Sequence, residues 1–348
     1  MIYFGMIPTI YQYIYMIYGG IRAIMKLVSA TVIILVLIAV VSTCGCTNAS
    51  ADGDSAESKI FISGAFALYP MMITWSEEYQ KIHPEIQFEI SGGGAGKGMT
   101  DALSGMVDIG MVSREIYPEE QSQGACWVAV TKDAVVGTIN SNNPAAEKIL
   151  SRGATKSDLE KIFVNNSVTN WGQLDGMEGV DVRINQYSRA DACGAASIWA
   201  KYIGDYHQEN IGGIAVSGDP GLAEAVRADT FGIGFNNINY AYDPTTELPI
   251  EGLLILPLDL NENGKIDSNE SFYSTRAEIM EAIAKGIYPS PPSRDLNLVT
   301  KNEFTGPTKD FVEWILTEGQ QYVTENGYIP LPEEVLTSEL NTVMESGI

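Results

Sequence analysis

The chain has 348 residues, with 21 Lys plus Arg against 44 Asp plus Glu and two His, a formal charge of −23. That length supports one large domain or two lobes of ordinary size. The charge argues against nucleic acid and against an anionic membrane surface as partners of the whole surface, so a bound anion must be held by a local pocket against the global field.

The first 46 residues contain no Asp or Glu, and their basic residues are Arg22 and Lys26. Within them, "MKLVSATVIILVLIAVVSTCGC" (Met25 to Cys46) is a charged start, an apolar run and a small-residue end, the form of a secretory signal. Its ending is similar to a lipoprotein signal. Cys46 after Gly45 is the expected lipidation site, and Cys44 is the competing choice. The Leu of a standard lipobox is missing, so anchoring by the uncleaved apolar run stays open. Met25 opens a complete signal by itself, and the start is expected there, with residues 1–24 an upstream leader. Residues 47–58 are small, polar and acidic, a flexible tether. The body is expected outside the cytoplasm, anchored to the outer face of the cell membrane.

From Lys59 the pattern is a short apolar strand, a helix through about Lys81, the strand "IQFEI", a Gly-rich loop, a second helix and the strand "VDIGMVS". It resumes with "CWVAVTKDAVVGTIN", then helices at Ala145–Leu150 and Lys156–Phe163 and the strand "VDVRINQYSR". A helix after Cys193, another at Gly221–Ala228 and the strand "FGIGFNNI" follow; the last hundred residues hold helices near Arg276–Lys285, Thr308–Thr317 and Glu318–Gly327. Strand–helix alternation implies an α/β fold with parallel strands and ligand loops at their C-terminal ends. Spacing does not decide whether Cys126 and Cys193 pair; two buried thiols are the expectation.

"YSRADACGAASIWAKYI" (Tyr187 to Ile203) leads an Arg and an Asp into a helix start, where unpaired N–H groups and the helix dipole favour an anion. The hydroxyl side chains that would suit such a site are absent.

The order of segments resembles the periplasmic-binding-protein family of phosphate-type ABC importers. The motifs that carry the likeness are "ISGAFALYP", "SGGGAGKGMTDALSGMVDIGMVSREI", "IFVNNSVTNWGQL", "SRADACGAA" and "DTFGIGFNNINYAY", in that order from about Lys59 to the C-terminus. The resemblance implies a type II, two-lobed α/β fold with mixed sheets and a two-strand hinge. Lobe I is expected at 59–135 plus 238–348 and lobe II at 136–237, with crossings near Ala134–Thr138 and Gly232–Asn237. It also implies a dehydrated oxyanion, phosphate by analogy, held between the lobes and delivered to an ABC transporter permease.

The residues carried over by motif are Ala65, Phe66, Ala95, Gly96, Lys97, Ser113, Arg114, Arg189, Asp191, Cys193, Gly194 and Ala195. They depart from the family in one direction: Ala65, Phe66 and Ala67 fill the first loop, Ala95 replaces a Ser, and Cys193 and Ala195 replace Ser and Thr. Alanine neither donates nor accepts, and a thiol donates weakly. Backbone amides at Gly94–Gly96 and Gly194–Ala196, with Arg189, Arg114 and Lys97, remain to hold an anion. Arg189 and Asp191 also read as an internal pair that orients the loop. The alternative is a binding module of the same fold with a changed, non-phosphate ligand or a protein partner.

"DLNENGKIDSNE" (Asp259 to Glu270) matches the twelve-residue EF-hand loop. Asp259, Asn261, Asn263, the Lys265 carbonyl, Asp267 and Glu270 stand at ligand positions, and Gly264 at the sharp turn. A strand precedes the loop, so a structural Ca2+ clip of modest affinity is expected. No nucleophile, metalloprotease or redox motif is present, and no enzyme activity is expected.

Overall fold

The computed structural model describes residues 58–345. The leader, the signal with Cys46 and the tether up to residue 57 lie outside the described residues. Among the described residues no helix is long and apolar enough to cross a membrane.

β1 (Ser58–Gly64), α1 (Tyr69–Ile82) and β2 (Ile86–Gly92) open the body as a strand–helix–strand unit. Ile60 and Ile62 turn inward while Lys59 and Phe61 face solvent, the two-residue period of a strand. α1 takes Pro70 in its first turn, where no amide hydrogen is needed, and buries Met71, Met72, Trp75 and Tyr79. α2 (Ala95–Ser104) and β3 (Ile109–Val112) repeat the unit, and β1 pairs parallel with both β2 and β3. This is the strand order in which the loops after β1, β2 and β3 share one edge.

After the short α3 (Pro118–Ser122) comes β4 (Ala125–Asn140), whose 16 residues serve both halves of the molecule. Residues 125–134 of β4 pair antiparallel with β9 (Ser293–Lys301), whereas residues 135–140 pair antiparallel with β7 (Gly232–Asn237) and β8 (Leu253–Leu256). β5 (Asn185–Arg189) runs parallel to β7 and to β6 (Ile214–Val216). The path through the sheet is β2-β1-β3-β9-β4-β7-β5-β6, with β8 attached to β4. The sheet is therefore mixed, and the fold is the two-lobed α/β arrangement.

Among the described residues two large cores lie to either side of the middle of β4, with a small third cluster of Ala223, Val226 and Leu253. The first gathers Trp75, Met111, Val128, Leu298, Phe304 and Phe311, with α9 (Gly306–Leu316) and α10 (Glu333–Glu345) against it. The second gathers Phe163, Trp171, Trp199, Phe235, Leu256 and Tyr288. It is covered by α4 (Ala146–Arg152), α5 (Lys156–Phe163), α6 (Gly194–Gly204), α7 (Gly218–Ala228) and α8 (Arg276–Ala284).

Residues 238–288, assigned to the first lobe from the sequence, pack in the second core instead: Tyr242, Leu256, Tyr273 and Ile279 are all there. The reason is β8, which pairs with the second half of β4 and keeps its flanking segments on that side. β7 stays in the same half, so the second crossing falls between Tyr288 and β9 rather than at Gly232–Asn237. The strand expected from Val180 begins at Asn185, and the helix expected at Glu318–Gly327 is a 3-10 turn over Glu318–Tyr322. Cys193 is buried in the second core and Cys126 packs against the first; no disulfide joins them.

Candidate functional site

The loops at the C-terminal ends of β1, β2, β3 and β5 meet across the two halves. Gly96 N–H donates to the Ala192 carbonyl at 3.0 Å, tying the start of α2 to the loop after β5. Gly194 lies directly on Ser113, where a side chain would begin 2.2 Å from the Ser113 carbonyl oxygen. Gly94, at φ 90°, faces Ala192 and Asp191, where a Cβ would stand 2.6 and 2.8 Å from their oxygens. Ala65, Ala95, Ser113, Cys193, Gly194 and Ala195 are thus all brought into one buried junction.

Arg189 ends β5 and is the charged centre of this junction, with its side chain 1% exposed. Nε donates to Asp191 Oδ1 at 2.9 Å and Nη2 to Asp191 Oδ2 at 2.5 Å, a bidentate fork. Nη1 donates to Asp219 Oδ2 at 2.5 Å. Burial works against the guanidinium charge, but Asp219 and Asp191 outweigh it and hold Arg189 firmly protonated. Burial likewise opposes ionisation of Asp191; the Arg189 fork and the Gly218 N–H overcome it, and its pKa is lowered. The Phe66 ring covers Arg189, 5.6 Å from the guanidinium carbon to the ring centroid.

Two of the cations expected here are directed elsewhere. Lys97 pairs with Asp101 one turn along α2, and Asp101 also accepts from Ser63 Oγ at 2.6 Å. Arg114 makes its own fork to Glu120, at 2.9 and 2.6 Å, and stacks on Tyr117. Several amides are also committed. Ala65 N–H donates to Met111, Gly94 N–H to Gly64 and Cys193 N–H to Gln208 Oε1, while Ala196 N–H donates to Cys193 Sγ at 3.4 Å. Cys193 therefore caps α6 as a Ser would, with a weaker acceptor. Burial pushes its thiol up to about 12, with Arg189 opposing, so it is a packed cap and not a thiolate. A cavity of about 370 Å³ opens beside the junction, lined by Gly96, Arg114, Tyr117, Cys193, Lys201 and Gln208 among others.

Sequence reasoning missed Asp219, Asn237 and Gln208. Asp219 sits in "SGDPG" at the start of α7, where an acid is an ordinary first-turn residue. Nothing local signals its bond to Arg189, 30 residues away. Asn237 N–H and Nδ2 donate to Asp219 at 3.0 and 2.8 Å, and Arg294 Nη2 donates to Asn237 Oδ1. A buried polar chain thereby runs from Arg189 to Arg294 and Asp133 at the strands that link the halves.

The loop at Asp259–Glu270 is folded as a tight polar turn. Asp259 accepts the N–H groups of Asn263 and Gly264 at 3.2 and 2.8 Å, and Glu270 those of Leu260, Asn261 and Asp267 at 2.9 to 3.1 Å. Asp259 and Glu270 are 2% and 1% exposed, and Gly264 takes φ 81°. Lys265 Nζ lies 2.8 Å from Asp267 Oδ1, and Lys265, Asn263 and Asn261 together hold the Asp267 carboxyl at about 2. Among the described residues no group of three or more His, Cys, Asp or Glu is arranged to hold a metal by itself. An ion here needs Asn261, Asn263 and the Lys265 carbonyl as well.

The sequence profile described as the PBP superfamily domain matches residues 49–318. The phosphate-binding protein PstS of Bacillus subtilis is 28% identical, with 84% of this chain and 87% of that protein covered. The phosphate-binding protein PstS of Methanocaldococcus jannaschii is 24% identical over 92% and 96%. Among solved structures, a Clostridium perfringens protein determined with bound phosphate superposes with a TM-score of 0.63 at 22% identity, covering 79% of this chain and 100% of that one. An ABC-type phosphate transport receptor of Vibrio cholerae gives 0.57 at 21%, with the same coverage. The shared fold, the meeting of the strand-end loops and a profile match over most of the chain agree, and this protein belongs to the PBP superfamily.

Proposed function

We propose that this protein is an extracytoplasmic, membrane-tethered substrate-binding protein that delivers an oxyanion, phosphate first, to the permease of an ABC importer. The observation that carries the reading is Arg189. It is a buried guanidinium at a strand end, followed at once by the N-terminus of α6, in a chain similar over most of its length to proteins named for phosphate binding. Location and tether rest on the signal-like N-terminal sequence. Titration calorimetry with phosphate, arsenate and sulfate tests the ligand. Binding is expected, with Arg189→Ala weakening it at least a hundredfold; no heat with any of the three would refute an oxyanion ligand.

A second reading, a changed ligand, is favoured by one observation. Arg189 already carries two carboxylates beneath an aromatic ring, and the hydroxyls at the loop positions are gone. Each hydrogen bond to a charged group that is lost removes about 1.5–3 kcal/mol. Failure of all three oxyanions to bind, with the protein folded, would select this reading.

The Asp259–Glu270 loop is proposed as a structural Ca2+ clip. Its support is the complete twelve-position pattern and two buried carboxylates, Asp259 and Glu270, that among the described residues accept backbone N–H groups and form no ion pair. Millimolar Ca2+ is expected to raise the melting temperature by several degrees, and Glu270→Gln to remove the shift. An unchanged melting temperature in the unmutated protein contradicts the site.

A further inference from the structure

Arg189 is met on its outer edge by an anion of the protein's own. Asp219 is 1% exposed and fixed at the start of α7. One oxygen accepts the Asn237 N–H; the other accepts both Asn237 Nδ2 and Arg189 Nη1. With Asp191 on the opposite edge, one positive charge faces two negative ones, so an approaching anion meets a net negative cluster. An aromatic ring also lies against Arg189, the Phe66 centroid 5.6 Å from the guanidinium carbon. The Phe66 ring fills a slot between two glycines, where a side chain on Gly92 would begin 2.6 Å from the ring and one on Gly218 3.1 Å from it. Both glycines leave space that the ring, coming from the first loop, takes up.

We propose that Asp219 and Phe66 are the specificity-determining residues of this cleft. Asp219 is an internal counter-anion that a ligand must displace from Arg189 Nη1, and Phe66 is the plug that keeps small oxyanions off the guanidinium face. The inference rests on the reading of the Arg189 cleft as the ligand site. It makes phosphate bind the unmutated protein more weakly than it would the same Arg189 cleft without these two groups. Asp219→Asn keeps the side-chain shape and one acceptor for the Asn237 N–H while removing the charge. Phe66→Ala opens the slot and leaves every Arg189 and Asp219 bond in place.

The test is phosphate titration calorimetry on the full chain and on Asp219→Asn, Phe66→Ala and Arg189→Ala, each checked for folding by circular dichroism. Both Asp219→Asn and Phe66→Ala are expected to bind phosphate at least tenfold more tightly than the unmutated chain, the range of one recovered charge-assisted hydrogen bond. If Asp219→Asn does not fold, Phe66→Ala decides alone. Variants no tighter than the unmutated chain, while Arg189→Ala abolishes its binding, overturn this inference and leave the cleft reading standing. Binding that ignores Arg189→Ala, or that is absent from every protein, overturns the cleft reading and this inference with it.

Discussion

A carboxylate buried beside a single cation three to four ångströms away is incompletely compensated, and Asp133 is such a group. It is 3% exposed, its Oδ2 lies 3.6 Å from Arg294 Nη2, and its Oδ1 has no hydrogen-bond partner among the described residues. Burial raises its pKa from 3.8 to about 7; Arg294 and the backbone amides of Ala134 and Ile238 oppose the rise, and the Asp219 charge adds to it. The folded chain thus holds a proton that the unfolded chain has released, and the sign follows. Stability from this group is present below about pH 4 and is lost as pH climbs toward about 7, by at most about 1.4 kcal/mol per unit. Chemical denaturation between pH 5 and 8 should show this fall in the unmutated protein and a flatter profile in Asp133→Asn. Identical slopes would contradict it. The same buried chain explains how the site was legible only in part. Arg189, Asp191 and the helix start could be read because they are neighbours in sequence. Asp219 and Asn237 could not, because Asp219 reaches Arg189 from α7, and Asn237 reaches Asp219 from β7, only once the chain is folded. Lys97 and Arg114 are taken by acids close in sequence: Asp101 lies one helical turn along α2, a pairing the i,i+4 spacing does signal, whereas Glu120 meets Arg114 only through the turn into α3.

At the level of elements, the Gly-rich loop is explained by packing as much as by ligand binding. Gly98 sits inside α2, where a Cβ would stand 2.5 Å from the Met111 carbonyl oxygen and 2.9 Å from Gly64 Cα. The helix can rest against β1 and β3 only because that side chain is missing. Gly98→Ala is expected to lower stability by roughly 1–3 kcal/mol, the range for overpacking a close contact. Gly221→Ala, in α7 with nothing within 4 Å, should be neutral or stabilising by up to about 1 kcal/mol. Urea denaturation of the two variants separates packing from general loss of glycine; equal effects would show that the Gly98 contact with Met111 does not limit the packing. Elements with clean apolar periodicity, such as β1 and α1, were readable in the sequence. β9 was not, because Arg294 and Asp295 interrupt its apolar run, and Arg294 is tolerated inside only through Asp133 and Asn237. α10 lays Leu336, Leu340 and Val343 at helical spacing against the first core, a stripe that the sequence does carry and that the expected helices do not include.

Across the whole molecule, 16 residues of β4 tie two cores together, and the loops that face each other between them are in contact. The fold class was accessible from sequence because five motifs occur in order. The division of the chain between lobes was misplaced, because the position of β8 on β4 is a pairing and leaves no local mark. With a formal charge of −23, the surface repels anions, and selectivity for one must come from Arg189 and the start of α6. A crystal structure grown with phosphate tests that claim most directly. A phosphate oxygen is expected within hydrogen-bond distance of Arg189, with the Asp219 carboxylate moved off Nη1. Phosphate seated elsewhere, with the Arg189–Asp219 pair intact, would contradict it.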